Sequence, residues 1–333
     1  MAHALEINEA TGETAFALRG EPAWHKLGTV FDANAHITTT EMLEMAHLND
    51  WDVRLEELTV PEGYRSTTKQ QMVLRTNPFD QGTDVLAIVG NRYNVVQNEH
   101  LFAFADNILD GGADWESAGS IKNGKVVFGS LVVPREFTLD PEGANDKTKT
   151  YLVVHTSHDG STAVQANITP VRVVCQNTLN MAIHGSKQSF KIRHTATVDG
   201  RIDEARRVLG LTFGHMDKFE EMARQMFETA ITDAQFDNLV KSIYEEPEQG
   251  SAKSAFTVWN DKVDLIHELY SNGITNQNIT GTAWGALNAL TERIDYYRIG
   301  RKGGEAIVAA ASGFDPVVNA EKNRILNAVM AMV

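Results

Sequence analysis

The chain is predicted to be α+β, an antiparallel β-meander crossed by a helix in a β-β-β-α-like core, with a helical C-terminal region. Three observations carry this. Apolar and polar residues alternate in runs from Trp51 to about Thr195. Pro61, Gly63, Pro78, Gly82 and the pair Asn123-Gly124 punctuate those runs as turn residues do. From about Gly200 the apolar period changes from two to that of amphipathic helices.

The elements are read in order, with three regions: an arm and short helix over 1–50, a β-rich core over 51–198 and a helical region over 199–333. Residues 1 to about 37 form a polar arm whose anchoring cluster is Pro22-Ala-Trp24-His25-Lys26-Leu27-Gly28. Thr38 and Glu41 have the three-residue spacing of a capping box, and Met42, Met45, Ala46 and Leu48 supply the apolar stripe of a helix ending near Asn49. Strands follow over 51–60, 71–76 and 85–96, the last bent into a hairpin at Gly90-Asn91. Asn98 caps a helix carrying Leu101, Phe102, Ala105, Ile108 and Leu109, stopped by Gly111-Gly112. Asn123-Gly124 joins strands 115–122 and 125–133 as a hairpin. A loop over 140–149 precedes strands 151–155 and 162–175. Val171, Val173 and Cys175 alternate with Arg172 and Val174, and Asn177 then opens a helix. Helices follow over 201–230, 234–244, 257–270, 282–297 and 320–332.

Composition bounds the class. With 333 residues, 42% hydrophobic and 22% charged, the chain can bury a sizeable core. No run approaches the roughly 18 apolar residues of a membrane span, and the acidic start does not resemble a signal peptide, so the expected location is the cytoplasm. The one cysteine, Cys175, excludes an intramolecular disulfide and multi-Cys zinc patterns. A net charge of −14 argues against coating nucleic acid with the whole surface, but steering depends on the local field.

That field is uneven. No Asp or Glu occurs from Ser161 to Val198, although the chain holds 44 of them. Further acid-free windows run over Gly63–Phe79, Val85–Asn98 and Ser117–Arg135. Of their cations, Arg75, Arg92, Lys122, Lys125, Arg172, Lys191 and Arg193 would form a phosphate-tracking stripe if the hairpins lie side by side, with Tyr93 and Phe128 as faces for stacked bases. The competing reading is a solvated sheet face with core aromatics.

Other motifs are weaker. Gly119-Ser-Ile-Lys-Asn-Gly124-Lys125 resembles a phosphate-binding loop, but Val126 stands where Ser or Thr would meet Mg²⁺, and the context is a hairpin. His155, His158 and Asp159, with His184 and His194, could serve a metal-dependent hydrolase. Residues 155 and 158 of one strand, however, point to opposite faces. The plainer reading of His158-Asp159-Gly160 is a polar turn.

The stretches Pro22–Gly28, Gly90–Asn98, Ser157–Ser161, Thr169–Leu179 and Gly281–Asn288 together resemble the phage/plasmid-like family known as domain of unknown function 932, over about residues 20–297. The resemblance implies a phage or plasmid setting in a bacterial cell and no settled activity. The order hairpin, helix, meander is also similar to the core of phage single-strand annealing proteins of the RecT, Red-beta and Erf kind. That likeness implies rings or filaments holding single-stranded DNA in a basic groove. The leading expectation is therefore a single-stranded DNA-binding and annealing protein acting in recombination or replication, with no catalytic residue, metal or cofactor. Its partners would be single-stranded DNA, further copies of itself and a host or phage single-strand-binding protein or exonuclease. The alternatives are the hydrolase and a host-directed interaction protein.

Overall fold

The computed structural model describes residues 5–20, 26–59, 62, 69–103, 105–172, 177–178, 189–191, 198–297 and 316–333. Within them the architecture is α+β with a helical C-terminal region, as the periodicity predicts.

The N-terminal region is not a free arm. β1 (Phe16–Arg19) pairs antiparallel with β6 (Asp114–Ile121), and β2 (Thr29–Phe31) pairs parallel with β1. Three short polar-flanked residues at a sheet edge carry too little alternation to read as a strand. Next, α1 (Thr39–Met45) begins with the full capping box: the Thr38 hydroxyl accepts from the Glu41 N–H, and the Glu41 carboxylate accepts from the Thr38 N–H at 2.8 Å.

β3 (Arg54–Glu57), β4 (Gln70–Thr76) and β5 (Thr83–Gly90) form a three-stranded antiparallel sheet. β5 ends at Gly90, and the chain turns toward a helix, so the expected hairpin at Gly90-Asn91 does not form. Two short helices follow, α2 (Asn98–Phe102) and α3 (Ala105–Leu109). Asn98 is not the cap. Gln97 holds that place without a side-chain cap, and Asn98 is buried, its amide donating to the Leu48 carbonyl at 2.8 Å. A tertiary partner has won over the local one.

The larger sheet runs β10-β9-β8-β7-β6-β1-β2, with β11 also on β9. Its long strands are β7 (Val126–Leu139), β8 (Asp146–Ser157) and β9 (Gln165–Arg172). β8 begins at Asp146, inside the expected 140–149 loop, and β7 runs on to Leu139, because Thr148 and Lys149 stay in register with Phe137 and Glu136. Asn177–Thr178 form β10, antiparallel to Arg172 and Val171, rather than opening a helix. β11 (Ser189–Lys191) lies along the other half of the same edge of β9. Cys175, His184, Arg193 and His194 fall outside the described residues.

The helices are α4 (Val198–Glu228), α5 (Asp233–Ile243), α6 (Lys253–Ser271), α7 (Ala283–Glu292) and α8 (Pro316–Met330), with a π turn at Arg293–Tyr297. They share one core with the sheet. Phe137 of β7 meets Phe219 of α4 at 6.0 Å between ring centroids, Phe219 meets Trp284 of α7 edge-on at 6.1 Å, and the Trp284 indole donates to Asp146 at 2.7 Å. On β7, Val127 and Leu131 enter this core, whereas Val126 and Phe128 pack in a second small cluster with Leu5, Phe16 and Leu18. Alternate residues of a strand point to opposite faces, so the N-terminal segment covers the sheet face that the helices do not. No helix among the described residues is long and apolar enough to cross a membrane.

Candidate nucleic-acid interface

Strand register decides which of the expected basic residues meet. The β6–β7 turn carries Lys122 and Lys125, both exposed, with Lys122, Asn123 and Gly124 all at positive φ. This is the Asn-Gly hairpin of the sequence reading, and a phosphate-binding loop between strand and helix is absent here. The Lys125 carbonyl accepts from the His158 N–H at 2.8 Å, which brings the β8–β9 turn beside it. Asp159 of that turn accepts from the Ser161 N–H at 2.9 Å. Burial opposes ionisation of Asp159, but hydrogen bonds from Ser161 and Ser157 and the charge on Lys122 hold its carboxyl below the usual value.

Tyr93 closes the same corner from the β5–α2 connection. Its hydroxyl donates to the Ser157 carbonyl at 3.3 Å, and burial, with Asp159 nearby, pushes its pKa up to about 12. Gly160 (φ +75°) faces the ring: a Cβ there would stand 3.7 Å from Tyr93 Cδ2. Arg92, one residue earlier, is exposed. On the far side of β9, exposed Lys191 pairs with Gln165, which pairs with His155. From β7 across β8 and β9 to β11 is three strand spacings, about 14 Å. Arg92, Tyr93, Lys122, Lys125 and Lys191 therefore share one end of the sheet.

The other expected contacts do not join them. Arg75 is 1% exposed, and its guanidinium is bound by Glu6 and Asp84 and stacked 4.2 Å from the Trp51 ring centroid. It is a buried ion-pair partner, not a surface cation. Its acids lie outside the acid-free window in sequence but within hydrogen-bond reach in space. Phe128 is buried against Phe16 at 6.3 Å and offers no open face. Arg172 pairs with Thr148 at the opposite end of β9, seven residues from Gln165 and about 23 Å along the strand. The single stripe expected from the charge windows is thus divided by the register.

The histidines are buried. His158 Nε2 lies 3.0 Å from Asn98 Oδ1, and since the Asn98 amide already donates to Leu48, the imidazole is the donor. His155 Nε2 faces the Asn167 amide at 3.4 Å. The two rings have separate partners, against the hydrolase arrangement. Burial lowers both to about 4, helped at His158 by the charge on Arg75. Among the described residues no group of three or more His, Cys, Asp or Glu is placed to hold a metal ion. What sequence reasoning missed is Glu6, the acid that takes Arg75, for which no local signal exists.

Comparison with known proteins gives one match. The family model described as domain of unknown function 932 matches residues 85–314, so Pro22–Gly28 lies outside the matched part. No curated protein and no solved structure matches.

Proposed function

The chain belongs to the family of domain of unknown function 932, and from that premise we propose that it binds single-stranded DNA across the Lys122–Lys191 end of its large sheet and anneals strands. One observation carries the reading: the register brings exposed Lys122, Lys125 and Lys191 to one end of the large sheet, and the Tyr93–Ser157 contact sets exposed Arg92 beside them. Phosphates would take the four cations, and the outer edge of Tyr93 would take a base. The chemistry needs no cofactor, because annealing only requires charge neutralisation and exposed bases. The setting would be phage recombination or replication in the cytoplasm of a bacterial cell. There the chain would act as a homo-oligomer beside a single-strand-binding protein or exonuclease.

Fluorescence anisotropy with a labelled oligonucleotide tests this. Four neutralised phosphates give a log–log salt slope of about −3, at about −0.7 per phosphate. The double variant Lys122→Ala/Lys125→Ala should reduce that slope by about half and slow annealing. No binding at low salt, or an unchanged slope in the double variant, would end the proposal.

A further inference from the structure

A second basic cluster lies in the helical region, where no charge window of the sequence pointed. Tyr244, at the end of α5, has Lys262 Nζ 4.9 Å from its ring centroid, Arg293 Cζ at 5.2 Å and Arg324 Cζ at 5.9 Å. These cations come from α6, the π turn and α8. Among the described residues Glu321 answers them: it accepts from the Tyr244 hydroxyl at 2.8 Å and pairs with Arg293 at 3.2 Å. Among the described residues three cations thus surround one ring, with Glu321 as the acid that answers them.

The cluster is held in place. Trp259 of α6 donates to the Tyr244 carbonyl at 2.9 Å, fixing α6 against the end of α5. The residue after Glu321, Lys322, is fully buried and pairs with Asp295 of the same π turn at 2.5 Å. Two ion pairs therefore lock α8 to the π turn, and π turns recur at functional sites. Exposure grades across the corner: the Arg293 side chain is 12% exposed, Lys262 is half-buried and Arg324 is exposed. This makes a rigid wall, a half-buried point charge and a movable outer arm.

We infer that this corner is a binding site for a small phosphate-bearing anion. The three cations all stand within 6 Å of the centre of one tyrosine ring, a span that suits a single phosphate or diphosphate better than a polymer. Arginine offers a planar fork to phosphate oxygens and lysine a compact charge, and both kinds are present. Burial and the charges on Arg293 and Arg324 lower the Lys262 pKa, with Glu321 opposing. A bound dianion would relieve that repulsion.

The probe is inorganic pyrophosphate, titrated calorimetrically into the full chain at ionic strength balanced with sodium chloride. One-site binding is expected, weakened at least tenfold by Lys262→Met and by Arg324→Gln and unaffected by Lys122→Ala/Lys125→Ala. Arg324 is exposed, so its variant should fold normally, and circular dichroism checks both. No saturable heat, or binding undiminished in both variants, overturns the inference. So does displacement of pyrophosphate by a short single-stranded oligonucleotide, which would give the site to the nucleic acid. Loss of DNA binding in the sheet variant alone leaves this inference standing.

Discussion

Around Arg75 one cation faces two carboxylates under a tryptophan, whereas around Tyr244 three cations face one. Both clusters are built from cation, acid and aromatic ring, yet among the described residues the second holds more cations than acids. Arg75 is consumed by the fold: Glu6 also accepts from the Ser120 hydroxyl at 2.7 Å, and Asp84 from the Asn77 amide at 2.9 Å. The Glu6-Arg75-Asp84 group ties the N-terminal segment, the small sheet and β6 together. Local charge balance, and not the presence of an arginine, separates a bolt from a receptor.

The largest effect should come from breaking the buried pair beside the second cluster. Lys322→Met leaves the Asp295 carboxylate buried without its ammonium and should cost about 3–5 kcal/mol in urea unfolding. Lys322→Met/Asp295→Leu should recover most of it. If the single and double variants are equally unstable, the pair is not what locks α8.

Acid should act on the first region. Burial holds His155 of β8, His158 of the β8–β9 turn and His215 of α4 at a pKa of about 4. A histidine kept neutral by the fold takes its proton on unfolding, so this stability is complete above about pH 6.5 and drains as pH falls toward 4. Each contributes about 1.4 kcal/mol per pH unit in that window, so three give a slope of about 4 kcal/mol per unit. His158→Gln, which can still donate to Asn98, should remove about a third of the slope measured by unfolding at pH 6.5, 5.5 and 4.5. An unchanged slope would mean that His158 is not buried neutral.

Arg75→Met tests the bolt itself and should cost about 3 kcal/mol, because Glu6 is left buried without a counter-charge. The companion Glu6→Gln/Arg75→Met should be milder. Equal thermal melts for the two would show that Glu6 reaches water once Arg75 is gone.

The smallest effect is expected at Gly124. At φ +81° a side chain is strained, and a Cβ would stand well inside contact distance of the Arg75 guanidinium. Gly124→Ala should therefore cost about 1–3 kcal/mol. Gly90→Ala, where nothing lies within 4 Å, is the control.

The same residues show what sequence could and could not say. The Thr38 capping box, the Asn123-Gly124 hairpin and the change from sheet to helices near residue 200 were legible because each rests on neighbours in the chain. Asn98 misled because its local role as a cap was overridden by Leu48 and His158. Arg75 misled for the same kind of reason, since an acid-free window counts neighbours in sequence and its partners are nine and sixty-nine residues away. The shared sheet end of Arg92, Lys122, Lys125 and Lys191 depends on register, which no window contains. The Tyr244 corner depends on four helical segments meeting.

The pairing of β1 with β6 has a consequence for synthesis on the ribosome. Phe16 lies opposite Gly119, and Leu5 bridges to Ile121, so β1, although β2 follows it closely, must wait for roughly a hundred further residues before its antiparallel partner exists. At about 5–20 residues per second that is several seconds, whereas a local hairpin closes in microseconds. Among the described residues the three strands between 54 and 90 pair with one another, and they can assemble during the wait. Until β6 and β7 emerge, Phe16 and Leu18 lack Ile121, Val126 and Phe128, against which they pack. β1 is thus made well before the strand it docks on, and its arrival on β6 brings Ser120 to the Glu6 carboxylate that also holds Arg75.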